Sequence, residues 1–162
     1  TKIILGIMIV FIDSGVLGVL ATPVKYAEAS ICEEWIYGLL AKGVTIYSSQ
    51  LCDYEIRRSM VLENRRNPRS TSISSLDELQ EIITFLPVTW EVLNQAAELW
   101  ASARSQGIPT ADNQNLDADM IICSHWQMLT EEFPGRYIVI ATGNVKHLSR
   151  FTESKNWRDI RF

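Results

Sequence analysis

The stretch Ile7-Met8-Ile9-Val10-Phe11-Ile12-Asp13 decides the fold of this chain. Six consecutive apolar residues are typical of a strand buried on both faces of a parallel sheet. Asp13 ends the run long before it reaches the roughly 20 residues that a membrane-spanning helix needs. We therefore interpret the run as a buried strand and not as a targeting segment.

Apolar runs and helical patterns alternate along the rest of the chain. The helical patterns begin at capping residues such as Ser49 and Thr89, and they end at Gly43 and Gly107. This alternation predicts an α/β protein with a parallel sheet and helices on both faces. The predicted strands are 7–12, 44–47, 86–88 and 137–141, with a weaker one at 157–160, and the predicted helices are 27–42, 49–62, 74–85, 89–106 and 117–129, with a projecting loop at 63–71.

The composition is that of one ordinary globular domain. Of its 162 residues, 47% are hydrophobic and 21% are charged, which allows a real core and excludes a disordered chain. The net charge of −4 argues against binding nucleic acid by bulk charge alone. Three widely spaced cysteines without a CxxC pair disfavour a zinc site and favour buried, reduced thiols in a cytosolic protein. We expect one domain over residues 8–162, with residues 1–7 extending the first strand or forming a processed end.

Polar residues stand at places where the chain has little local reason for them. Asp13 and Asn144 follow apolar runs, Asp117 and Asp119 open one, and Glu55 lies near the buried face of a predicted helix. Because the carboxyl ends of parallel strands meet at one edge of a sheet, these side chains can converge in space. A cluster of oxygen ligands is what Mg²⁺ or Mn²⁺ requires. Taken singly, each acid is better explained as a helix cap, a turn residue or a surface charge.

The order of these motifs resembles that of the PIN-domain family. The motifs are Phe-Ile-Asp-Ser-Gly at 11–15, Asp-Tyr-Glu-Ile-Arg-Arg at 53–58, Leu-Asp-Ala-Asp-Met-Ile-Ile at 116–122 and Ala-Thr-Gly-Asn at 141–144. No single motif is specific, but the ordered set spans residues 8–160 and is most similar to the small bacterial members, the VapC-type toxins. The resemblance implies a three-layer α/β/α sandwich with a mostly parallel sheet, which hydrolyses RNA with Mg²⁺ or Mn²⁺.

The resemblance also implies roles for individual residues. Asp112 is a further acid whose role stays open. Ser14 and Thr142 adjoin ligand positions, so they are candidates to orient carboxylates, with ordinary capping as an equal alternative. The implied catalytic residues are Asp13, Glu55, Asp119 and Asn144, and the implied metal ligands are these four together with Asp117.

The chain departs from the family pattern at three places. Residues 123–126 read Cys-Ser-His-Trp where the family usually has small side chains, so His125 and Trp126 are expected to pack in a different layer or to face outward. His125 and His147 are conceivable general bases, but a packing or surface role is favoured because a metal ion activates water without a histidine. Gly143 loosens the turn before the fourth ligand position.

Two further predictions concern partners. Arg57 and Arg58 lie within one turn of Glu55, so they are expected to hold the RNA backbone, with solvated surface as the alternative. The helices at 27–42 and 74–85 are expected to leave an apolar groove exposed for a small antitoxin protein or a second copy of the chain. Some of six large apolar residues would line this groove: Ile31, Trp35, Leu39, Leu76, Leu79 and Ile83.

Three functions stay open at this point. The chain is either the toxin ribonuclease of a type II toxin–antitoxin pair, a PIN-domain nuclease in RNA processing without an antitoxin, or an inactive PIN-like binding module. Retention of all four ligand-type positions argues against the inactive module. We expect a cytoplasmic homodimer with no membrane association.

Overall fold

The structure, a computed structural model, describes residues 8–23, 26–107 and 116–161, and of Leu116 and Asp117 the backbone alone. The predicted extension at residues 1–7 lies outside these ranges, and the domain boundaries stay a prediction. The elements in chain order are β1 (Ile9–Ile12), α1 (Ser14–Leu20), α2 (Ala27–Ala41), β2 (Thr45–Ser49), α3 (Gln50–Arg66), α4 (Ser72–Glu78), β3 (Thr84–Leu86), α5 (Trp90–Ser105), α6 (Leu116–Glu132), β4 (Ile138–Thr142), α7 (Val145–Leu148) and β5 (Ser154–Asn156), with 3₁₀ turns at Leu79–Glu81 and Trp157–Asp159.

All strand pairs in the sheet are parallel, in the order β3-β2-β1-β4-β5. The chain moves outward from β1 to β2 and β3, and then returns to the other side of β1 with β4 and β5. The strand order therefore reverses between β1 and β4, where Ile12 pairs with Ala141. Ligands of open α/β sheets bind outside the carboxyl ends of the strands at such a reversal. The predicted parallel α/β architecture is confirmed.

The centre of the core is β1 itself. All four of its residues, Ile9–Ile12, are fully buried, and β4 beside it is buried along its whole length. A strand that is covered on both faces reads as a continuous apolar run, which explains why this segment was recognisable in the sequence. The helices pack over both faces of the sheet and form the outer layers of a three-layer α/β/α sandwich.

Local capping chemistry sets several element boundaries, as predicted. The Ser49 hydroxyl accepts a hydrogen bond from the Leu51 N–H at 3.0 Å and caps α3, and Thr89 caps α5 in the same way. Gly43 and Gly107 follow α2 and α5 with φ of 83° and 65°. Glycine adopts this left-handed conformation without steric cost, so both helices end there.

Several predicted elements differ from the structure, and the predicted strand 86–88 lies at Thr84–Leu86 instead. The predicted helix 74–85 ends at Glu78, and its last residues belong to a 3₁₀ turn and to β3. The weak strand at 157–160 is a 3₁₀ turn, because β5 ends at Asn156. The predicted loop 63–71 is shorter, since α3 continues to Arg66, and α1 and α7 were not anticipated. Short apolar runs fit both the helical and the strand period, which makes segments such as 82–86 ambiguous.

The predicted apolar groove is also wrong. Leu39, Leu76 and Ile83 are at most 3% exposed, and Trp35 and Leu79 are partly buried against the same core. Of the six residues only Ile31 is exposed, because α2 turns Ala29, Cys32, Ile36 and Leu39 inward. Large apolar side chains are exposed elsewhere instead, at Tyr26, Tyr37, Tyr54, Val61, Leu62, Trp90, Leu93 and Trp100.

Two further observations concern the cysteines and the helix lengths. Cys32, Cys52 and Cys123 are reduced and buried, as predicted. Among the described residues, no helix has the length and apolar character that crossing a bilayer requires.

Candidate active site

Asp13 occupies the first position after the central strand. Its backbone N–H donates to the carbonyl of Ala141 at 3.2 Å, which continues the pairing of β1 with β4. Its Oδ1 accepts from the N–H of Val16 at 2.9 Å and caps α1. Asp13 therefore has the helix-capping role that was the alternative explanation for it, and this hydrogen bond fixes its carboxylate at the carboxyl end of the sheet.

Thr142 holds the second oxygen of the same carboxylate. Its fully buried hydroxyl donates to Asp13 Oδ2 at 2.5 Å. The hydroxyl oxygen in turn accepts from the backbone N–H of Asn144 at 2.9 Å. Thr142 thus joins the ends of β1 and β4, while Asn144 is exposed just beyond the strand. Ser14 is half-buried at the first position of α1.

Glu55 and Asp119 approach Asp13 from two helices. Glu55 is half-buried on α3, and Asp119 lies in the first turn of α6 with a side chain 27% exposed. The helix α1 lies close to α3 here, since a Cβ added at Gly18 would stand 3.1 Å from Ile56 Cδ1, next to Glu55. The negative charges of Asp13 and Glu55 both act on Asp119, so the three acids, from three elements, share one region beyond the end of β1.

The pKa values reflect this convergence. The pKa of Asp119 is raised to about 6: burial is the main cause, His147 opposes the increase, and the negative charges of Asp13 and Glu55 add to it. Burial also raises the pKa of Asp13, against the hydrogen bonds from Thr142, Val16 and Gly15. Carboxylates that are desolvated and mutually repelling favour protonation or a nearby cation.

Two residues of this region were not assigned to the site from the sequence. His147, on α7, places Nδ1 4.0 Å from Asp119 Oδ2. Its position three residues after Asn144 was the available signal. Cys52 is buried beside Asp13 and Glu55, and burial together with these charges raises its thiol pKa to about 12. Cys52 is therefore a protonated, structural thiol.

Two predicted acids are not fully described. Asp117 is the second residue of α6, so its backbone is helical and one turn or less from Asp119. Asp112 lies outside the described residues. The predicted ligand and catalytic roles of the acids stay predictions, although three of them share one site.

The chemistry of the donors fits a hard divalent cation. Asp13, Glu55 and Asp119 supply oxygen atoms only, and their repulsion would be relieved by positive charge. Within the described ranges, no three acidic, histidine or cysteine side chains form a group that could hold a metal ion by themselves. Mg²⁺ often takes only one or two direct carboxylates and keeps several waters, so the oxygen donors of these three acids are compatible in type with such an ion.

The two arginines predicted to bind RNA differ in their surroundings. Arg57 donates to both oxygens of Asp53, at 2.8 and 3.1 Å, and to Asp77 at 2.7 Å. These acids, Asp53 first, raise the guanidinium pKa above its usual range. Arg58 is exposed and lies 5.6 Å from the ring centroid of Tyr54.

An open cavity of about 780 Å³ adjoins Arg57. The three converging acids do not line it. Its lining residues are Gln50, Asp53, Arg57, Asp77, Gln80, Ile83, Thr84 and Phe85.

The unusual pair His125 and Trp126 packs inward. His125 is 2% exposed, and the half-buried Trp126 donates its Nε1–H to the carbonyl of Ile138 at 2.8 Å. The alternative that they face outward is wrong. Burial lowers the pKa of His125 to about 4, and its position in the core keeps it away from a substrate.

Comparison with known proteins supports the fold. No family model and no curated protein matches the sequence. The structure is similar to that of VapBC2 from Rickettsia felis bound to a DNA fragment from their promoter, with 17% identity and a TM-score of 0.63 over 93% of this chain and 99% of that chain. It is equally similar to VapBC-1 from nontypeable Haemophilus influenzae, with 17% identity and a TM-score of 0.63 over 94% of this chain and all of that chain. The predicted PIN-like fold is confirmed.

Proposed function

We propose that the chain is a divalent-metal-dependent endoribonuclease, and that it is the toxin of a type II toxin–antitoxin pair. The observation that carries the proposal is the convergence of Asp13, Glu55 and Asp119 at the carboxyl end of the central strand. Such a cluster of desolvated carboxylates is costly without a cation, so a purely structural role accounts for it poorly. Its position at the strand-order reversal is where α/β proteins bind ligands.

Each residue has a specific task in this proposal. Asp13 and Asp119 would hold the ion directly, and Glu55, Asp117 and Asn144 would hold it directly or through water. A bound divalent ion supplies positive charge that lowers the pKa of water and neutralises the leaving oxygen. Thr142 fixes one oxygen of Asp13, and the α1 cap fixes the other, so this carboxylate needs little reorganisation when the site is filled.

The assignment as a toxin rests on the similar structures. Both are VapBC proteins, and one of them was bound to a DNA fragment from their promoter. By likeness, this chain would be restrained by a small antitoxin protein. A PIN-domain nuclease of RNA processing would have the same acids and no such partner, and an inactive module would have neither the activity nor the need for restraint.

Purified protein and cells together test this proposal. The protein should cleave RNA with Mg²⁺ or Mn²⁺, and EDTA should stop the reaction. Expression alone should slow growth, and co-expression of the small protein encoded beside it should restore growth and co-purify. Active but harmless protein without a partner would indicate RNA processing. Protein that cleaves no RNA with either ion would indicate the inactive module.

The contrast between Arg57 and Arg58 gives a matched pair of variants for RNA binding. Arg58→Gln should weaken RNA binding and reduce the dependence of log K on log salt by about 0.7, the value for one phosphate contact on a single strand. Arg57→Gln should change that slope little, because Asp53 and Asp77 already neutralise the guanidinium. Binding isotherms over a range of salt concentrations measure both. Equal slopes in the wild type and Arg58→Gln would leave Arg58 as solvated surface.

A further inference from the structure

His125 is a polar side chain in the middle of the core. It lies on α6, and its Nε2 is 2.8 Å from the hydroxyl oxygen of Ser49. Its ring stacks on Phe11, with the ring centroids 5.8 Å apart and the planes 27° apart. A leucine of similar size would fill the same space without the cost of burying an imidazole, so a specific contact must compensate for its presence.

The residues that His125 contacts lie on elements that carry different acids of the site. Phe11 lies on β1, two residues before Asp13. Ser49 is the N-cap of α3, the helix that carries Glu55. His125 itself is on α6, six residues after Asp119. The His125 side chain lies on α6 and contacts both β1 and the start of α3, so it connects the three elements that carry the acids of the site.

The Ser49 end of this contact is part of a short polar chain. The Ser49 hydroxyl accepts from the Leu51 N–H at 3.0 Å, so its own proton is available to the imidazole. The adjacent Ser48 donates its hydroxyl to the carbonyl of Ile12 at 2.8 Å. These bonds join the carboxyl ends of β1 and β2 to α6 through buried polar groups, which are directional in a way that apolar packing is not.

We propose that His125 is a positioning residue, which holds β1, α3 and α6 in the arrangement that brings Asp13, Glu55 and Asp119 together. The effect of His125 on metal binding rests on the proposed function. Its effect on the arrangement of the three elements does not, because they come together without the ion. At neutral pH the ring is uncharged, because burial lowers its pKa to about 4, and Nε2 can accept from the hydroxyl.

Three substitutions separate the hydrogen bond from simple packing. In His125→Gln the amide can reach the place of Nε2 and restore the contact with Ser49. In His125→Asn the shorter amide ends near the place of Nδ1, so it serves as the matched polar control. His125→Leu keeps an apolar side chain of similar size and removes the contact. All three are made in the full chain.

The first readout is the Mn²⁺ dissociation constant, measured from the EPR signal of free Mn²⁺. His125→Leu and His125→Asn should weaken Mn²⁺ binding by about 10-fold or more, which is the range for residues that position metal ligands without binding the metal themselves. His125→Gln should stay close to the wild type. Loss of melting temperature with unchanged Mn²⁺ affinity, or equal affinities in Gln and Asn variants, would overturn the positioning role.

The second readout needs no metal. The Leu51 amide reports the α3 cap, and the Val16 amide reports the bond to Asp13. Hydrogen exchange at both should be about 10-fold faster in the Leu and Asn variants than in the Gln variant. Faster exchange near residue 125 alone would overturn the proposal. If the wild type binds no Mn²⁺, the proposed function fails and this readout alone decides the role of His125.

Discussion

Replacing Asp119 with asparagine should reduce metal-dependent RNA cleavage by about 10²- to 10³-fold, the usual effect of removing one group that stabilises charge in a transition state. The fold should persist, because asparagine has nearly the same shape and removes one member of a repelling cluster. Asp13→Asn should cause a similar loss, since asparagine can still accept from the Val16 N–H and cap α1. Cleavage assays and thermal melts of the purified variants measure both effects.

The matched control for this experiment lies on the same helix. Glu132→Gln neutralises an exposed acid at the last position of α6, about 20 Å along the helix from Asp119. This variant should cleave RNA at the wild-type rate. Wild-type cleavage by Asp119→Asn would show that Asp119 is not part of the reaction, and the proposed metal site would lose its central ligand.

The metal-free protein should lose stability as the pH rises from about 4 to about 7. The pKa of Asp119 is 3.8 in the unfolded reference and about 6 in the folded chain. The folded state therefore retains a proton that the unfolded state has lost. This contribution is fully present below pH 3.8 and is lost as the pH rises through about 6. At about 1.36 kcal/mol per pKa unit, it amounts to at most about 3 kcal/mol.

A divalent cation should reverse this loss. At neutral pH, Mg²⁺ or Mn²⁺ at about 100 times its dissociation constant should stabilise the protein by about 2.7 kcal/mol, and at pH 4 it should have little effect because Asp119 is protonated. Asp119→Asn should flatten the pH dependence and remove most of the response to the ion. Denaturant unfolding across this pH range, with and without the ion, gives the values. A pH-independent wild type would contradict the assignment of a raised pKa to Asp119.

The parts of the fold that were predictable from the sequence depend on local chemistry. The apolar run ending at Asp13 reads as a buried strand because both faces of β1 are covered. Ser49, Thr89, Gly43 and Gly107 mark helix ends because their capping bonds and backbone conformation involve neighbouring residues. Nothing in these patterns requires knowledge of how distant segments pack.

The remaining features depend on contacts across the fold. The ion pair of Arg57 with Asp77 is set by how α3 lies against α4, since the two residues are 20 positions apart in sequence; the RNA contact of Arg57 stays a prediction. The inward orientation of His125 depends on the position of Ser49, 76 residues away. The helix pattern over 74–85 failed because β2 recruits residues 84–86 as an edge strand. The hydrophobic periodicity of one segment cannot predict contacts that depend on residues far away in the sequence.

The two outer strands of the sheet have a consequence for self-association. β3 and β5 have three residues each, so each edge offers only a few backbone groups to a foreign strand. Pro87 follows β3 directly and lacks an N–H, and the 3₁₀ turn at Trp157–Asp159 bends the chain away at the end of β5. Short, interrupted edges disfavour edge-to-edge aggregation and amyloid-like growth. Both margins of the described sheet therefore offer little backbone to a second copy of the chain.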